Sequence, residues 1–261
     1  MEDVMILIPT NSDKTYCIGK FLKNLSGIDM NNKDNVLFSD DTYKSNEYMD
    51  EIKSQGYEVI KVTKTIDDLK AGKKLGIVEC LANTRNALRD EFLKRKKYKY
   101  VMWFDSDIIM PKETIPQLIS CNKDIVSGIY WQQKPSNDGK FINEVPVIYK
   151  YQDVESYDMN IHKYGAIIPL SELFPCRLLG NDSDLKIVAI GTGCFLASRE
   201  LMEDNRWKFR YNPERPDTTE DMWFSLDVRG LGYEIYGDSH VCCRHLPRGW
   251  KNRIKTMENQ K

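Results

Sequence analysis

Short, continuous apolar runs that alternate with amphipathic helical segments constrain the fold of this chain more than any other feature of its sequence. Val4–Thr10 reads VMILIPT and Tyr100–Phe104 reads YVMWF, without the polar alternation of a strand that faces water. Between them, apolar residues recur at helical spacing at Leu81, Leu88 and Phe92. Strands that are buried on both faces and separated by helices are typical of parallel sheets. The sequence therefore predicts an α/β fold with a mostly parallel central sheet flanked by helices.

The second half of the chain has a different pattern. After the apolar run 124–131, turn-forming residues become frequent, and short β-rich segments follow. A helix is predicted from about Thr219 to Arg229, because Gly230 and Gly232 end its apolar spacing. No internal repeat or linker interrupts residues 1–261, so we predict a single domain with a smaller β-rich part.

Charge, length and cysteine usage exclude several classes of protein. The chain has 38 lysine and arginine residues against 39 acids, so no basic face is expected for nucleic acid. Its apolar runs are too short for a transmembrane segment, and its first residues resemble neither a secretory signal nor a transit peptide. The seven cysteines lack paired spacing, which favours reduced thiols over a disulfide framework. We therefore predict a cytoplasmic protein without a nucleic-acid partner.

Aspartates stand directly after two of the predicted strands. Asp105 and Asp107 flank Ser106 in FDSDIIMP, and Asp40 and Asp41 end the run NVLFSDD. The carboxyl ends of parallel strands meet at one edge of a sheet, where ligands bind. Carboxylate oxygens suit Mg²⁺ or Mn²⁺, and two buried carboxylates need a cation to offset their repulsion. The alternative for each pair is an ordinary turn in which aspartate side chains bind the backbone.

Three further clusters carry polar groups to the same predicted edge. Glu220 and Asp221 follow two threonines, as either a helix cap or a general base with its neighbour. His240 and His245 follow the last apolar run and could complete the coordination of a cation, although single histidines are usually structural. Arg85 begins the segment RNALRD and is either a surface residue or a contact for an anionic group.

The order of these clusters along the chain resembles the GT-A fold of nucleotide-sugar glycosyltransferases, specifically their family 2-like group. The likeness runs from Val4 to about Leu246 and is carried by FDSDIIMP, GTGCFLASREL and TEDMWFSLDVRGLGYEIYGDSHVCCRHL. It implies a Rossmann-like nucleotide-binding fold. Residues 1–131 would form the nucleotide-binding half of the domain, and residues 132–261 the acceptor-binding half.

The resemblance also implies a role for each cluster. It places Asp105, Asp107 and His245 on the divalent cation, Mn²⁺ or Mg²⁺, with His240 as second choice for the histidine. Asp221 corresponds to the catalytic base, and Glu220 is its neighbour. The residues implied for binding the nucleotide sugar are Pro9, Thr10, Asp40, Asp41, Arg85, Asn86, Asp105, Ser106, Gly191, Thr192 and Gly193.

The implied reaction moves a sugar from a nucleotide-diphosphate sugar, a UDP- or GDP-sugar, to an acceptor hydroxyl, with inversion at the anomeric carbon. The acceptor would be a glycan, a lipid-linked molecule or a protein. One alternative is a metal-dependent nucleotidyltransferase, which would usually have a glycine-rich loop and a lysine after its first strand; IPTNSDK has no such glycines. The other is a non-catalytic carbohydrate- or nucleotide-sugar-binding protein of the same fold.

Overall fold

A β-sheet flanked by helices forms the body of the protein, which we describe from a computed structural model. Of the predicted site residues, Asp41 lies outside the described part of the chain. The described residues are 3–29, 32–40, 46–62, 76–135, 142–151, 165–167, 173, 176–180, 186–215 and 218–246.

The first half of the chain alternates strands with helices. β1 pairs with β2 and with β4, and β2 pairs with β3, in every case in parallel, so that the strand order is β3-β2-β1-β4. This arrangement confirms the α/β fold predicted from the apolar runs. The elements are β1 (Val4–Thr10), α1 (Ile18–Ser26), β2 (Val36–Asp40), α2 (Glu47–Ser54), β3 (Glu58–Lys61), α3 (Ile77–Lys94) and β4 (Tyr100–Phe104).

Strand β1 is apolar up to Pro9 because helices cover both of its faces. Ile8 belongs to the same core cluster as Phe21 of α1, whereas Leu7 packs in the cluster of Leu88 of α3. Successive side chains of a strand point to opposite faces, so both faces of the sheet must be apolar. Every residue of β1 is buried, as the sequence predicts.

The second half adds antiparallel strands, so the complete sheet is mixed. β12 lies antiparallel between β4 and β6, and β13 runs parallel to β6. The parallel pairing expected for most of the sheet therefore holds for β1–β4 and for β6 with β13, and β12 interrupts it between them. The elements are β5 (Ile108–Ile109), α4 (Thr114–Ser120), β6 (Ile125–Pro135), β7 (Ile142–Pro146), β8 (Ile148–Tyr151), β9 (Gly165–Ile167), β10 (Leu178–Leu179), β11 (Ile187–Ile190), β12 (Cys194–Ser198), α5 (Arg199–Glu203), α6 (Glu220–Gly230) and β13 (Tyr236–His245).

Five aromatic side chains join β4 and β12 to helix α6. Trp103 stacks on Phe195 with 5.9 Å between ring centroids, and Phe224 of α6 lies 5.3 Å from Phe195. Trp207 and Phe209 complete the cluster at 5.0 and 5.4 Å from Phe224. Aromatic rings dominate the energetics of such cores because each buries a large apolar area. The cluster therefore fixes the position of α6 relative to the strand ends.

Helix length and composition bear on membrane insertion. The longest described helix, α3, has 18 residues and carries several charges. Within the described residues, no helix combines the length and the apolar character that a bilayer crossing requires.

We expect Phe224→Ala to destabilise the protein by about 3–5 kcal/mol, because it leaves a cavity at the centre of the aromatic cluster. Leu178→Ala is the matched control: Leu178 is 38% exposed, so its loss should change the free energy of unfolding by about 0.5 kcal/mol or less. Denaturant unfolding of both variants measures the difference. Equal losses would show that the cluster does not stabilise the fold.

Candidate active site

The predicted site residues meet at the edge of the sheet where β1, β2 and β4 end. Thr10 and Asp40 are aligned in register at the last positions of β1 and β2. Asp105 follows the last residue of β4, which is the other neighbour of β1. Parallel pairing thus brings these polar residues to one place although they are far apart in sequence.

The end of β13 reaches the same edge from the opposite end of the chain. β13 pairs with β5, and His245 lies opposite Ile108, directly after the Asp-Ser-Asp turn. The backbone N–H of Leu246 also donates to the carbonyl oxygen of Asp107 at 2.7 Å. A histidine that is distant in sequence is therefore held beside the turn by backbone hydrogen bonds.

Asp107 is the most heavily engaged acid of the site. Its Oδ2 lies 3.3 Å from Nε2 of His245, forms an ion pair with the Lys14 ammonium, and is 3.5 Å from the Tyr16 hydroxyl. Burial favours the neutral carboxyl, but the hydrogen bond from His245 and the charge of Lys14 outweigh it and lower the pKa of Asp107 to about 2. Asp107 is thus a carboxylate at neutral pH.

Asp105 is held by a buried arginine. Nη2 of Arg85 donates to Oδ1 of Asp105 at 2.7 Å, and Nε lies 3.5 Å from Oε1 of Glu220. Trp103 and Phe209 flank the guanidinium, each 5.7 Å from its central carbon. Burial opposes the charge of Arg85, but the two acids raise its pKa above the ordinary value. Because the Arg85 side chain is 1% exposed, its predicted contact with the nucleotide stays a prediction.

Asn86, the predicted partner of Arg85 in nucleotide binding, is engaged elsewhere. Its Nδ2 donates to the carbonyl oxygen of Phe209 at 2.7 Å, and its Oδ1 accepts from the N–H of Phe209 at 3.0 Å. Both ends of the amide therefore hold the loop that places Phe209 against Arg85. A direct contact of Asn86 with a nucleotide stays a prediction.

Hydroxyl groups lock the Asp-Ser-Asp turn onto the end of β1. The Thr10 hydroxyl is 2.8 Å from that of Ser106 and 2.6 Å from that of Tyr48. Ser106 and Asp40 are 0% exposed, and Pro9 is buried. These side chains face the interior in this structure, so their predicted contacts with the nucleotide stay predictions.

The Gly-Thr-Gly turn between β11 and β12 lies against Asp105 and Tyr130. A Cβ at position 191 would collide with the Tyr130 hydroxyl, and one at position 193 would lie 3.0 Å from Oδ2 of Asp105. The carbonyl oxygen of Gly193 accepts from the backbone N–H of Asp105 at 2.9 Å. Close approach thus disfavours a side chain strongly at position 191 and less so at position 193, while Thr192 between them is buried.

Helix α6 presents its first two residues to this edge. Oδ1 of Asp221 accepts from the backbone N–H of Met222 at 2.8 Å and from the Thr219 hydroxyl, so Asp221 caps its own helix. Burial raises the pKa of Asp221 above the ordinary value, in spite of these hydrogen bonds. Burial and the adjacent Asp221 raise the pKa of Glu220, and Arg85 opposes them. The two acids of α6 therefore bind protons more readily than ordinary carboxylates.

The two candidate histidines have different surroundings. Nδ1 of His240 lies 2.6 Å from Oδ1 of Asp238, and the His240 side chain is 50% exposed. Of the two histidines, His245 is the one that lies beside Asp107 in the described part of the chain. The described residues contain no group of three or more His, Cys, Asp or Glu side chains arranged to hold a metal. Oδ2 of Asp107 and Nε2 of His245 lie close enough together to bind one cation. Asp105 as a further ligand stays a prediction.

Sequence reasoning missed three residues of the site. Lys14 and Tyr16 contact Asp107, and the Tyr130 ring lies 6.4 Å from the His245 ring. Lys14 follows the end of β1 shortly after Thr10, which is a signal that the sequence contains. Nothing in the sequence around Tyr130 distinguishes it from Trp131, the other aromatic residue of β6.

We expect the stability of the wild-type protein to fall as pH rises above the ordinary carboxylate range of about 4–5, because the raised pKa of Glu220 makes the folded state bind more protons than the unfolded state. Glu220→Gln removes this titration and should flatten that part of the profile. Melting temperatures from pH 5 to pH 8 test it, with the exposed Glu214→Gln as control. A Glu220→Gln profile that matches the wild type would refute the assignment.

Comparison with solved structures identifies the architecture. The chain is similar to GalNAc-T7, solved with UDP, GalNAc and Mn²⁺, with a TM-score of 0.55 and 13% identity over 94% of this chain and 43% of that one. It is also similar to residues 1–349 of S. aureus TarS, with a TM-score of 0.51 and 15% identity over 90% of this chain and 57% of that one. The same TarS fragment in complex with UDP-GlcNAc has a TM-score of 0.51 and 14% identity, over 94% of this chain and 59% of that one. The chain spans about half the length of these proteins.

Comparison by sequence alone gives a shorter match. No curated protein matches the chain. The sequence model of the Anp1 family matches residues 77–163, which include α3, the Asp-Ser-Asp turn and β6. The solved structures are GT-A glycosyltransferases. The expectation drawn from the order of the sequence motifs is thereby confirmed: this chain has the GT-A fold.

Proposed function

We propose that this protein is a metal-dependent glycosyltransferase that moves a sugar from a nucleotide-diphosphate sugar to an acceptor hydroxyl, with inversion. The observation that carries the proposal is the 3.3 Å contact between Asp107 and His245 at the edge of the sheet that also holds Glu220 and Asp221. The fold shared with GalNAc-T7 and TarS, which were solved with UDP or UDP-GlcNAc, supports a UDP-sugar donor, with a GDP-sugar as the second choice.

The donor atoms at this edge suit a divalent cation. A carboxylate oxygen of Asp107 and an imidazole nitrogen of His245 lie side by side, and both are ligand types that Mn²⁺ accepts. Mg²⁺ and Mn²⁺ sites that serve phosphates use few protein ligands and leave positions for phosphate oxygens. We assign Asp107, His245 and Asp105 to the cation, and Arg85 holds Asp105 through its Oδ1. When bound, such a cation neutralises the charge that develops on the leaving diphosphate.

Asp221 is the residue that we assign to proton transfer. Its carboxylate takes the proton of the acceptor hydroxyl as that oxygen bonds to the anomeric carbon. The bond from the anomeric carbon to the diphosphate oxygen breaks on the opposite face, and its electron pair leaves with the diphosphate. The raised pKa of Asp221 makes its carboxylate a stronger base than an exposed aspartate. Thr219 and Met222 bind Oδ1, so we assign Oδ2 to the acceptor.

The two halves of the chain divide the substrates in this proposal. Residues 1–131 would bind the nucleotide, and residues 132–261 would bind a glycan, lipid-linked or protein acceptor. The direct nucleotide contacts of Pro9, Thr10, Asp40 and Asn86 belong to the proposal. So does a cytoplasmic location, which rests on the seven cysteines without paired spacing.

We expect Asp107→Asn to weaken Mn²⁺-dependent binding of UDP or GDP by about a hundredfold or more, because loss of even an outer partner of a metal ligand costs about 10–100-fold. His245→Ala should also weaken it, and His240→Ala, which removes a histidine beside Asp238, is the matched control. Calorimetric titration with and without Mn²⁺ measures all three. An Asp107→Asn protein that keeps the wild-type metal dependence would remove the cation assignment.

We expect Asp221→Asn to lower the rate of sugar transfer by roughly 10²–10⁴-fold, since that is the usual contribution of a general base. Donor binding and the melting temperature should change little, because the amide oxygen can still accept from Met222. Asp227→Asn, on the same helix and paired with Arg210, is the control and should transfer sugar normally. Transfer at near wild-type rate by Asp221→Asn would favour a retaining mechanism or Glu220 as the base.

One observation favours nucleotidyl transfer as a second candidate. Lys14 follows the first strand and reaches Asp107, and a lysine after the first strand is usual in nucleotidyltransferases. The products separate the candidates, because sugar transfer releases a nucleoside diphosphate from a nucleotide sugar, whereas nucleotidyl transfer releases pyrophosphate from a nucleoside triphosphate. A protein that binds nucleotide sugars with Mn²⁺ and releases neither product would be a binding protein of the same fold.

A further inference from the structure

Lys14 lies in a turn whose backbone is fixed. The short helical turn Ser12–Lys14 follows β1 directly, and Oδ1 of Asn11 caps it by accepting from the N–H of Asp13 at 3.0 Å. The carbonyl oxygen of Lys14 accepts from the N–H of Cys17 at 3.0 Å. The backbone of Lys14 is thus anchored beside the sheet edge, while its side chain remains 31% exposed.

The Lys14 ammonium occupies the position that the proposed cation needs. It pairs with Oδ2 of Asp107, the same oxygen that lies 3.3 Å from Nε2 of His245. An ammonium and a divalent cation on one carboxylate oxygen would repel each other at close range. Coordination through this oxygen therefore requires the Lys14 ammonium to leave it.

The displaced ammonium needs a new anionic partner. In this structure the Lys14 ammonium is paired with the carboxylate of Asp107. A lysine side chain carries its charge on a flexible four-carbon stem, so that the ammonium can move while the anchored backbone does not. The diphosphate of a bound donor brings negative charge to the same edge and can accept hydrogen bonds from an ammonium.

We propose that Lys14 binds the donor diphosphate, and that in the donor-free protein it occupies Asp107 in place of the cation. The inference rests on the proposed function, because it assumes a diphosphate-containing donor at this edge. Lys14 would exchange one anionic partner for another, so its charge is paired in both states. The exchange couples the two ligands: the cation binds weakly alone and tightly together with the diphosphate.

The test measures two affinities of the same variant that should change in opposite directions. In Lys14→Met, Mn²⁺ alone should bind about 10–100-fold more tightly, because no ammonium competes for Asp107, and a hydrogen bond to a charged group contributes about that factor. UDP or GDP at saturating Mn²⁺ should bind more weakly by a similar factor, because the diphosphate loses a cationic partner. Isothermal titration calorimetry measures both affinities without any catalytic turnover.

Two further variants make the result specific. Lys23→Met removes an exposed lysine of α1 and should leave both affinities within about twofold of the wild type, since exposed charges are screened by salt. Lys14→Arg keeps the charge and should retain the weak binding of Mn²⁺ alone. Damage to the fold by Lys14→Met would weaken both affinities together, and this outcome would overturn the inference.

The remaining outcomes separate the inference from the proposed function. If the wild-type protein binds UDP or GDP with Mn²⁺ and Lys14→Met binds it equally well, the inference is wrong and the proposed function stands. Unchanged affinity of Lys14→Met for Mn²⁺ alone also overturns the inference. If the wild-type protein binds neither nucleotide with Mn²⁺, the proposed function and the inference fall together.

Discussion

Four carboxylates lie close together at one edge of a buried sheet. Their mutual repulsion has to be offset, because it would otherwise destabilise this part of the fold. Arg85 lies between Asp105 and Glu220, and Lys14 lies against Asp107. An unpaired charge in such surroundings would be neutralised or would destabilise the fold. The repulsion is reduced in two ways. The positively charged side chains of Arg85 and Lys14 pair with the two aspartates of the turn, and the acids of α6 have raised pKa values. The rest of the site is arranged around these pairs.

The buried arginine explains why the core beneath the site is aromatic. Arg85 is enclosed between Trp103 and Phe209, whose rings tolerate a guanidinium better than aliphatic side chains do. Asn86, the next residue of α3, fixes the backbone of Phe209 with both ends of its amide. Phe224 joins this cluster from α6, so the same core that encloses the arginine also sets the position of Glu220. The packing of the aromatic core therefore also determines how the charges of Arg85 and Glu220 are placed.

The sequence predicts the fold and the place of the site because both depend on patterns along the chain. Apolar runs identify β1 and β4, and the parallel pairing of strands makes their carboxyl ends neighbours. The direction of a side chain does not follow from such patterns. Ser106 faces the core and binds Thr10 because the turn after β4 is tight, and Arg85 is enclosed because the loop at Phe209 folds over it. Lys14 was missed because a lysine in a turn is usually solvated, and only tertiary contacts reveal its partner.

The pKa of Asp107 and the pKa values of the two acids of α6 are shifted in opposite directions, which supports the separate roles proposed for them. His245 and Lys14 overcome the effect of burial on Asp107 and lower its pKa to about 2, so that it remains charged and suited to a cation. Burial and mutual repulsion raise the pKa of Glu220, and burial raises that of Asp221, so both accept protons more readily. When neighbouring titratable groups are pushed apart in this way, the group with the raised pKa is the better candidate for proton transfer. Glu220 is 4% exposed and faces Arg85, whereas Asp221 is only partly buried. Of the two acids of α6, Asp221 is therefore the more accessible one, as the proposed role of a base requires.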